Sequence, residues 1–297
     1  MSGFFQELAK TLAQRWVGLL LVPGTLFVAG AIAGVRLGHQ HALDLSMATQ
    51  ALSAAATSVA GRPGTAQAVV FVAALLASAG VGLVVQAMTG VTRALWLGRW
   101  PGAILTARRA RRWERHLRRR RELEAAHPAG TRSVSTQREI DLAAARMNAV
   151  ALARPGRPTW MGDRIHAVER IATDRYGLDL PFAWSRFWLT MPATARAEIT
   201  AANGAFAAAV TVASWAWPAL VLGVLWWPAV VVAVVAGTTG WVRGRAAITD
   251  LTALVESALD LYGCALAAGV GVETQRPVGP LEIGEGEQVT AIVRKGR

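Results

Sequence analysis

A long uncharged run in the second half of the sequence constrains the fold more than any other feature. From Ile199 to Val242, 44 residues, no side chain carries a charge. One helix of that length would span about 66 Å, roughly twice the hydrocarbon core of a bilayer. Two helices with a tight turn fit well. Trp226-Trp227-Pro228 lies near the middle, where proline resists helix continuation and paired tryptophan favours the interface. The run therefore predicts a transmembrane hairpin over residues 199–243.

Two shorter apolar stretches in the first half each predict one further span. The first covers about residues 16–36, between Arg15 and Arg36, and its length matches the hydrocarbon core. The second covers about residues 66–88, in an uncharged run that ends before Arg93. With the hairpin, these spans predict an all-α fold: a polytopic helical membrane protein with four transmembrane helices and cytoplasmic amphipathic helices.

The residues ahead of the first span predict a short amphipathic helix on the membrane surface. Five apolar side chains share one helical face there: Phe4, Phe5, Leu8, Leu12 and Trp16. The rival interpretation is a secretory signal cleaved after Ala31-Ile32-Ala33, and both the long apolar run and the acidic Glu7 argue against it. Between the first two spans, residues 39–65 have mixed polarity and are interpreted as a loop.

The positions of the arginines predict the orientation in the membrane. The formal net charge is +12, and Lys10 and Lys295 are the only lysines. The loops after the first and third spans hold only Arg36 and Arg62. Many arginines closely follow the second span: Arg108, Arg109, Arg111, Arg112, Arg115, Arg118, Arg119, Arg120 and Arg121. Because cytoplasmic loops carry the excess of basic residues, we expect a multi-pass cell-membrane protein with residues 93–198 and both termini in the cytoplasm.

Residues 106–126 predict a basic helix, since arginine and glutamate favour helices and neither glycine nor proline intervenes. Its arginines are expected on every face, with too few apolar residues for a core helix. They are expected to contact anionic lipid or a partner. Three interpretations stay open: a topology anchor on anionic lipid, an arm that docks a protein, and a nucleic-acid contact. Against the last, only Trp113 could stack on a base.

Further cytoplasmic helices are predicted on both sides of a proline-rich break at residues 154–159. Residues 136–153 are interpreted as a short helix, and residues 163–176 as another that stops at Gly177. The segment 181–189 holds four aromatic side chains. We expect it to lie against the membrane or against other helices.

After the fourth span, apolar residues at spacings of three and four predict an amphipathic helix. They are Ile248, Leu251, Val255, Ala258, Tyr262 and Ala265. This seam is expected to pack on the cytoplasmic half of the chain, with self-association or a partner as the alternative. The tail from Glu273 is interpreted as loosely ordered, apart from a short strand at residues 289–293. The predicted regions are 1–105 with two spans, the basic region 106–198, the hairpin 199–243, and the helix and tail 244–297.

Four segments in the second half of the chain carry a family resemblance. They are PTWMGDRI at residues 158–165, RYGLDL at 175–180, AWSRFWL at 183–189 and DLTALVESALDL at 250–261. Together they resemble a family of uncharacterised multi-pass membrane proteins of actinobacteria. The resemblance implies a location in a bacterial plasma membrane. The family has no known activity and supplies no site residues.

No catalytic, metal or nucleotide motif stands out in the sequence, so we expect no enzyme activity, no cofactor and no metal. Cys264 is the single cysteine, which excludes an intrachain disulfide and a cysteine-based zinc site. The predicted spans hold no charged side chain, which argues against an ion-coupled transporter. Two polar groups are interpreted as ordinary surface residues: His39 with His41, and His166 with Asp163 and Glu169.

The sequence predicts a non-enzymatic membrane scaffold or adaptor that recruits a protein partner at the cytoplasmic face. This prediction rests on the contrast between plain apolar spans and elaborate basic and amphipathic cytoplasmic segments. Gly30, Gly34 and Gly38 form a small-residue repeat that favours close helix packing and allows a homo-oligomer. An oligomeric pore or membrane-perturbing effector is therefore the alternative. A membrane enzyme acting on lipid is a third, because arginines can hold phosphate headgroups.

Overall fold

The computed structural model of the chain describes residues 22–294. The amphipathic helix predicted at the N-terminus and the beginning of the first predicted span lie outside these residues. Regular secondary structure in the described range is helical throughout, without a strand. The helices are α1 (Val22–Leu37), α2 (Leu45–Ala60), α3 (Gly64–Trp96), α4 (Ala103–Ala126), α5 (Val134–Val150), α6 (Trp160–Tyr176), α7 (Leu180–Thr190), α8 (Ala193–Ser214), α9 (Ala216–Gly223), α10 (Pro228–Gly269) and α11 (Ile283–Arg294), with a 3-10 helix at Ala129–Thr131.

Three helical segments are long and apolar enough to cross a membrane. They are α3, α8 continued by α9, and α10, at Gly64–Trp96, Ala193–Gly223 and Pro228–Gly269. Helix α1 is also apolar and has 16 residues in the described range. The predicted all-α membrane class is confirmed at this level, with three candidate spans.

The described chain divides into two compact units. The first comprises residues up to 92 together with residues 208–242, and the second comprises residues 93–207 together with those from 243 onward. Helices α3, α8 and α10 each contribute residues to both units. At 42 residues, α10 continues without a break from the second arm of the hairpin into the predicted amphipathic helix.

In the first unit, the hairpin turns at the predicted tryptophans. Helix α9 ends at Gly223 and α10 begins at Pro228. Between them, the Trp226 indole N–H donates to the carbonyl of Ala42 at 3.1 Å. Trp226 also covers Gly34 of α1, because a Cβ added at Gly34 would lie 3.0 Å from the Cβ of Trp226. The predicted turn is therefore confirmed, and its side chains are used for packing within the unit.

A polar cluster joins α3 to the end of α8 and to α9 in the first unit. The Trp217 indole N–H donates to the hydroxyl oxygen of Thr92 at 3.0 Å, and the Ser214 hydroxyl lies 2.9 Å from the same oxygen. The Thr92 hydroxyl in turn donates to the carbonyl of Met88 at 3.1 Å. The indole N–H of Trp217 therefore has a hydrogen-bond acceptor although it lies within an apolar arm of the hairpin.

The loop predicted over residues 39–65 is wrong, because α2 occupies most of it. Asp44 caps the helix and accepts the backbone N–H of Met47 at 3.0 Å. The polar side chains that suggested a loop donate back to carbonyls of the preceding turn, as Thr57 does to Ser53 at 2.9 Å. Serine and threonine satisfied in this way are compatible with a helix.

The second unit has its own hydrophobic core. Helices α6, α7, α10 and α11 supply most of it, and its large buried side chains are Tyr176, Leu178, Phe187, Leu259, Leu266 and Val289. Of the predicted seam of α10, Ile248, Val255 and Ala258 are buried, whereas Ala265 is exposed. The buried face passes instead through Leu259 and Leu266, because a 3.6-residue period displaces a strict three-and-four seam.

Up to Arg294, the C-terminal tail packs on this core, so over the described residues the predicted loose tail and short strand are both wrong. Residues 289–293 belong to α11, which packs on α6 and α7. The buried Glu285 carboxylate accepts the backbone N–H groups of Gln275 at 2.7 Å and Glu282 at 2.8 Å. The hydroxyl of Thr290 donates to the carbonyl of Gly177 at 3.0 Å. These tertiary contacts stabilise a helix whose two glycines disfavour it locally.

Candidate functional site

Helix α4 carries the arginines that the sequence marks as a contact surface. At about 100° per residue, six of them fall within roughly one third of its circumference. This surface, here termed the arginine face, consists of Arg108, Arg111, Arg112, Arg115, Arg118 and Arg119, all exposed. Arg121 is exposed in another direction, and Arg109 and Arg120 lie in a third. Arginines thus do occur around the helix, but they are concentrated on one face.

The side of α4 away from the arginine face is bound to the C-terminal end of α5. Arg109 donates through Nη2 to the carbonyl of Val150 at 2.9 Å, and the Trp113 indole N–H donates to the carbonyl of Ala151 at 3.0 Å. The helix also packs along α5. These contacts fix the orientation of α4, although none of its residues is fully buried.

Asp163 anchors this attachment from inside the second unit. It is 3% exposed, and one carboxylate oxygen accepts a hydrogen bond from Arg109 Nε at 2.9 Å and forms an ion pair with Arg109 Nη2 at 2.7 Å. The other oxygen accepts the backbone N–H groups of Gly156 at 2.9 Å and Arg157 at 2.7 Å. A buried carboxylate with three hydrogen-bond donors and a cationic partner is fully satisfied. Asp163 therefore holds the loop before α6 and the inner side of α4 together.

The arginine face is largely without neutralising carboxylates. Arg119 lies 3.8 Å from Glu122, with both side chains two-thirds exposed, so this pair contributes little. Of the remaining five arginines, none has a carboxylate within 4.0 Å in residues 22–294. Arg120, outside the face, pairs with Glu124 at 2.8 Å. The face therefore presents a concentrated positive charge that attracts anions.

The second unit also contains an open apolar groove of about 890 Å³. Trp184 and Trp188 of α7 lie on one wall, and Ile199 of α8 and Leu251 of α10 belong to the same lining. Trp184 and Trp188 contact each other with ring centroids 5.8 Å apart. Their aromatic character predicted contact with the membrane or with other helices, but not a groove. Their i, i+4 spacing was the available signal.

The glycines of the predicted packing repeat have different surroundings. Gly34 is covered by Trp226, as described above, whereas a Cβ added at Gly30 would meet nothing within 4 Å. Gly38 lies beyond the end of α1 with φ at +59°, also in open space. Gly24, which is not part of the repeat, packs directly against the backbone of Ser78. The close packing of α1 therefore uses Gly24 and Gly34.

The two histidine groups noted in the sequence, at His39 and at His166, make single polar contacts within the protein. His39 Nδ1 is 2.7 Å from the carbonyl oxygen of Leu225, and His166 Nδ1 is 3.4 Å from the Glu169 carboxylate. Over the described part of the chain, no three His, Cys, Asp or Glu side chains are grouped to hold a metal ion. Cys264 is buried, with its sulfur 3.6 Å from the carbonyl oxygen of Pro280.

Comparisons with family models, curated proteins and solved structures find no match to this chain. The function must therefore be inferred from the chain's own surfaces. Two surfaces are candidates: the arginine face of α4, which concentrates positive charge, and the open groove beside α7, which concentrates apolar side chains.

Proposed function

We propose that this chain is a non-enzymatic membrane scaffold that recruits an acidic protein partner through the arginine face of α4. One observation carries the proposal. Five exposed guanidinium groups share one side of a helix that is held in place, and within the described range none of them has a carboxylate within 4.0 Å. A partner that supplies carboxylates would form charge-assisted hydrogen bonds with them.

The proposal places the arginine face in the cytoplasm. Four spans, at about residues 16–36 and 66–88 and in the hairpin 199–243, put residues 93–198 on the same side as both termini. The excess of arginine after α3 supports this orientation. A bacterial cell membrane is the proposed location, in line with the actinobacterial resemblance of the second half.

The attachment of α4 favours a protein partner over the two other interpretations. A topology anchor on lipid needs positive charge but no fixed geometry, whereas Arg109 and Asp163 hold this helix in one orientation. Guanidinium groups match the planar, bidentate geometry of carboxylates, and the fixed helix presents them on one side. Trp113, the one aromatic residue of α4, is bound to the carbonyl of Ala151 within the unit. It is therefore poorly placed to stack on a nucleic-acid base.

The test is to purify the full-length protein from its native membrane in mild detergent and to identify what remains bound in a fixed ratio. A matched pair of variants separates charge from fold: Arg111, Arg115 and Arg118 are changed together to Glu, or together to Lys. We expect a companion protein with an acidic surface. It should be lost from the Glu variant and released by salt. The Lys variant should bind it more weakly than the unaltered protein, because lysine keeps the charge but not the bidentate geometry.

Two outcomes would overturn the proposal. One is a companion that stays bound to the Glu variant at low salt. The other is the absence of any companion, with binding of the purified protein only to vesicles that contain anionic lipid. The second result would return the arginine face to the role of a topology anchor.

A further inference from the structure

A cation lies at the edge of the apolar groove. Thr252 of α10 is part of the groove lining, and its hydroxyl oxygen accepts a hydrogen bond from Arg164 Nε at 3.3 Å. Arg164 belongs to α6, next to the groove residue Ile165. Arg164 is therefore hydrogen-bonded to a side chain of the groove lining.

A second arginine approaches the same place through Trp160. The guanidinium carbon of Arg164 is 5.7 Å from the centre of the Trp160 ring, and that of Arg245 is 4.3 Å from it. In residues 22–294, neither guanidinium has a carboxylate within 4.0 Å. Burial lowers the pKa of Arg164, while the more distant Glu256 acts in the opposite direction. Two cations therefore share one aromatic ring without a close counter-charge.

The groove itself is lined by helices that belong to the candidate spans. Ile199 lies on α8 and Leu251 on α10, and both helices are among the segments apolar enough to cross a membrane. At the other wall, Leu189 of α7 is 75% exposed beside Trp188. Exposed leucine with tryptophan and arginine is typical of the headgroup layer of a bilayer.

We propose that this is a binding site for one anionic phospholipid, whose phosphate is bound by Arg164 and Arg245 beside Trp160 and whose acyl chain occupies the groove. A guanidinium pair recognises a phosphate through charge-assisted hydrogen bonds. The groove volume of about 890 Å³ is within the usual range for sites of single small ligands, which are mainly apolar with a few polar groups. A ligand with one anionic head and a long apolar tail satisfies both halves of the site.

The experiment measures lipid binding to the full-length protein in detergent by native mass spectrometry. Phosphatidylglycerol is compared with phosphatidylcholine and with glycerol phosphate, which has the anion but no acyl chain. We expect phosphatidylglycerol to bind at least about tenfold more tightly than either. Equal binding of phosphatidylcholine would overturn the role of the anion, and equal binding of glycerol phosphate would overturn the role of the groove.

Two sets of variants locate the site. Changing Arg164 and Arg245 together to Gln should weaken phosphatidylglycerol binding about tenfold or more. The matched control changes Arg138 and Arg146 to Gln: both are exposed arginines of α5, so the net charge falls equally. Ser185→Trp, at an exposed position of the groove wall, should also weaken lipid binding. Equal loss in the control pair, or no loss in both site variants, would sink the proposal.

This site does not include the arginine face, so the two proposals can fail separately. Loss of lipid binding in the Gln variant with the companion protein retained would support the lipid site alone. Should the Gln variant fail to fold, Ser185→Trp and the comparison of the three ligands still decide the question.

Discussion

The hydroxyl of Tyr176, at the end of α6, donates a 2.5 Å hydrogen bond to the carboxylate of Asp260 on α10. Tyr176 is 2% exposed and belongs to the core of the second unit. The two residues are 84 positions apart in the sequence. The bond therefore joins a helix of the central region to the long helix after the hairpin. A charged acceptor makes this one of the stronger bonds in the unit.

The first prediction concerns the titration of Tyr176. Burial, followed by the hydrogen bond to Asp260 and its charge, raises the pKa of Tyr176 to about 12 from the ordinary 10.0. The chain has two tyrosines, so Tyr262→Phe leaves Tyr176 as the only phenol. We expect the near-ultraviolet absorbance of the phenolate in that variant to appear near pH 12. A midpoint near the ordinary value in the folded protein would contradict the structure.

The same shift sets a direction for alkaline stability. Between the unfolded pKa and the folded one, the folded state keeps a proton that the unfolded state has released. The contribution of Tyr176 is therefore complete below about pH 10 and is lost as the pH rises towards 12. Tyr176→Phe should remove this part of the pH dependence, as measured by denaturant unfolding in detergent at a series of pH values.

A second prediction concerns the buried pair of Asp163 and Arg109. Asp163→Ala leaves the Arg109 guanidinium and two backbone N–H groups without their acceptor. We expect a loss of about 3 kcal/mol or more in the free energy of unfolding. The control is Asp174→Ala on the same helix, which breaks an exposed pair with Arg170 at 3.4 Å. That loss should be below about 1 kcal/mol, and similar losses for both variants would contradict the proposed anchor.

The third prediction uses two glycines of α11. A Cβ at Gly286 would overlap the backbone carbonyl of Tyr176, whereas a Cβ at Gly284 would meet nothing within 4 Å. Gly286→Ala should therefore destabilise the second unit by about 3 kcal/mol, because the backbone must move apart. Gly284→Ala should change stability by less than about 1 kcal/mol. Limited proteolysis of the C-terminal region checks the difference, and equal resistance of the two variants would contradict the observed docking.

The fourth prediction separates packing within the chain from packing between copies. Gly34→Leu should lower the thermal unfolding temperature, because a side chain there meets Trp226. Gly30→Leu should leave this temperature nearly unchanged, because the space beside Gly30 is open. If Gly30→Leu abolishes a homo-oligomer and an ion leak seen on expression of the unaltered protein, the pore becomes the better hypothesis. If neither the unaltered protein nor the Gly30→Leu variant causes an ion leak on expression, the pore hypothesis is removed.

The membrane class and the hairpin could be predicted because they depend on features local in sequence. An uncharged run of 44 residues is too apolar to be exposed to water and about twice too long for a single membrane-spanning helix. Trp226-Trp227-Pro228 marks where the chain turns. The end of α6 was predictable for a similar reason. Gly177 adopts φ of +65°, a conformation that glycine reaches without strain.

The two errors have different physical causes, one local in sequence and one not. Helix α2 was missed because serine and threonine look like loop residues until they bond to their own helix backbone. Helix α11 was missed because its glycines weaken it locally. Its stability comes from contacts such as that between Thr290 and Gly177, 113 positions apart. Distances of that kind are set by the fold and leave no trace in a short window of sequence.

The sequence by itself determined that the chain is arginine-rich and has helical segments able to cross a membrane, since length, apolarity and the absence of charge decide whether a segment enters a bilayer. The tertiary structure alone decided which arginines have partners. Arg109 is bound to the buried Asp163, whereas most arginines of the arginine face have no carboxylate partner in the described range. Arg164 and Arg245 both contact the ring of Trp160. These differences arise from packing between helices distant in the chain, which no helical period can specify.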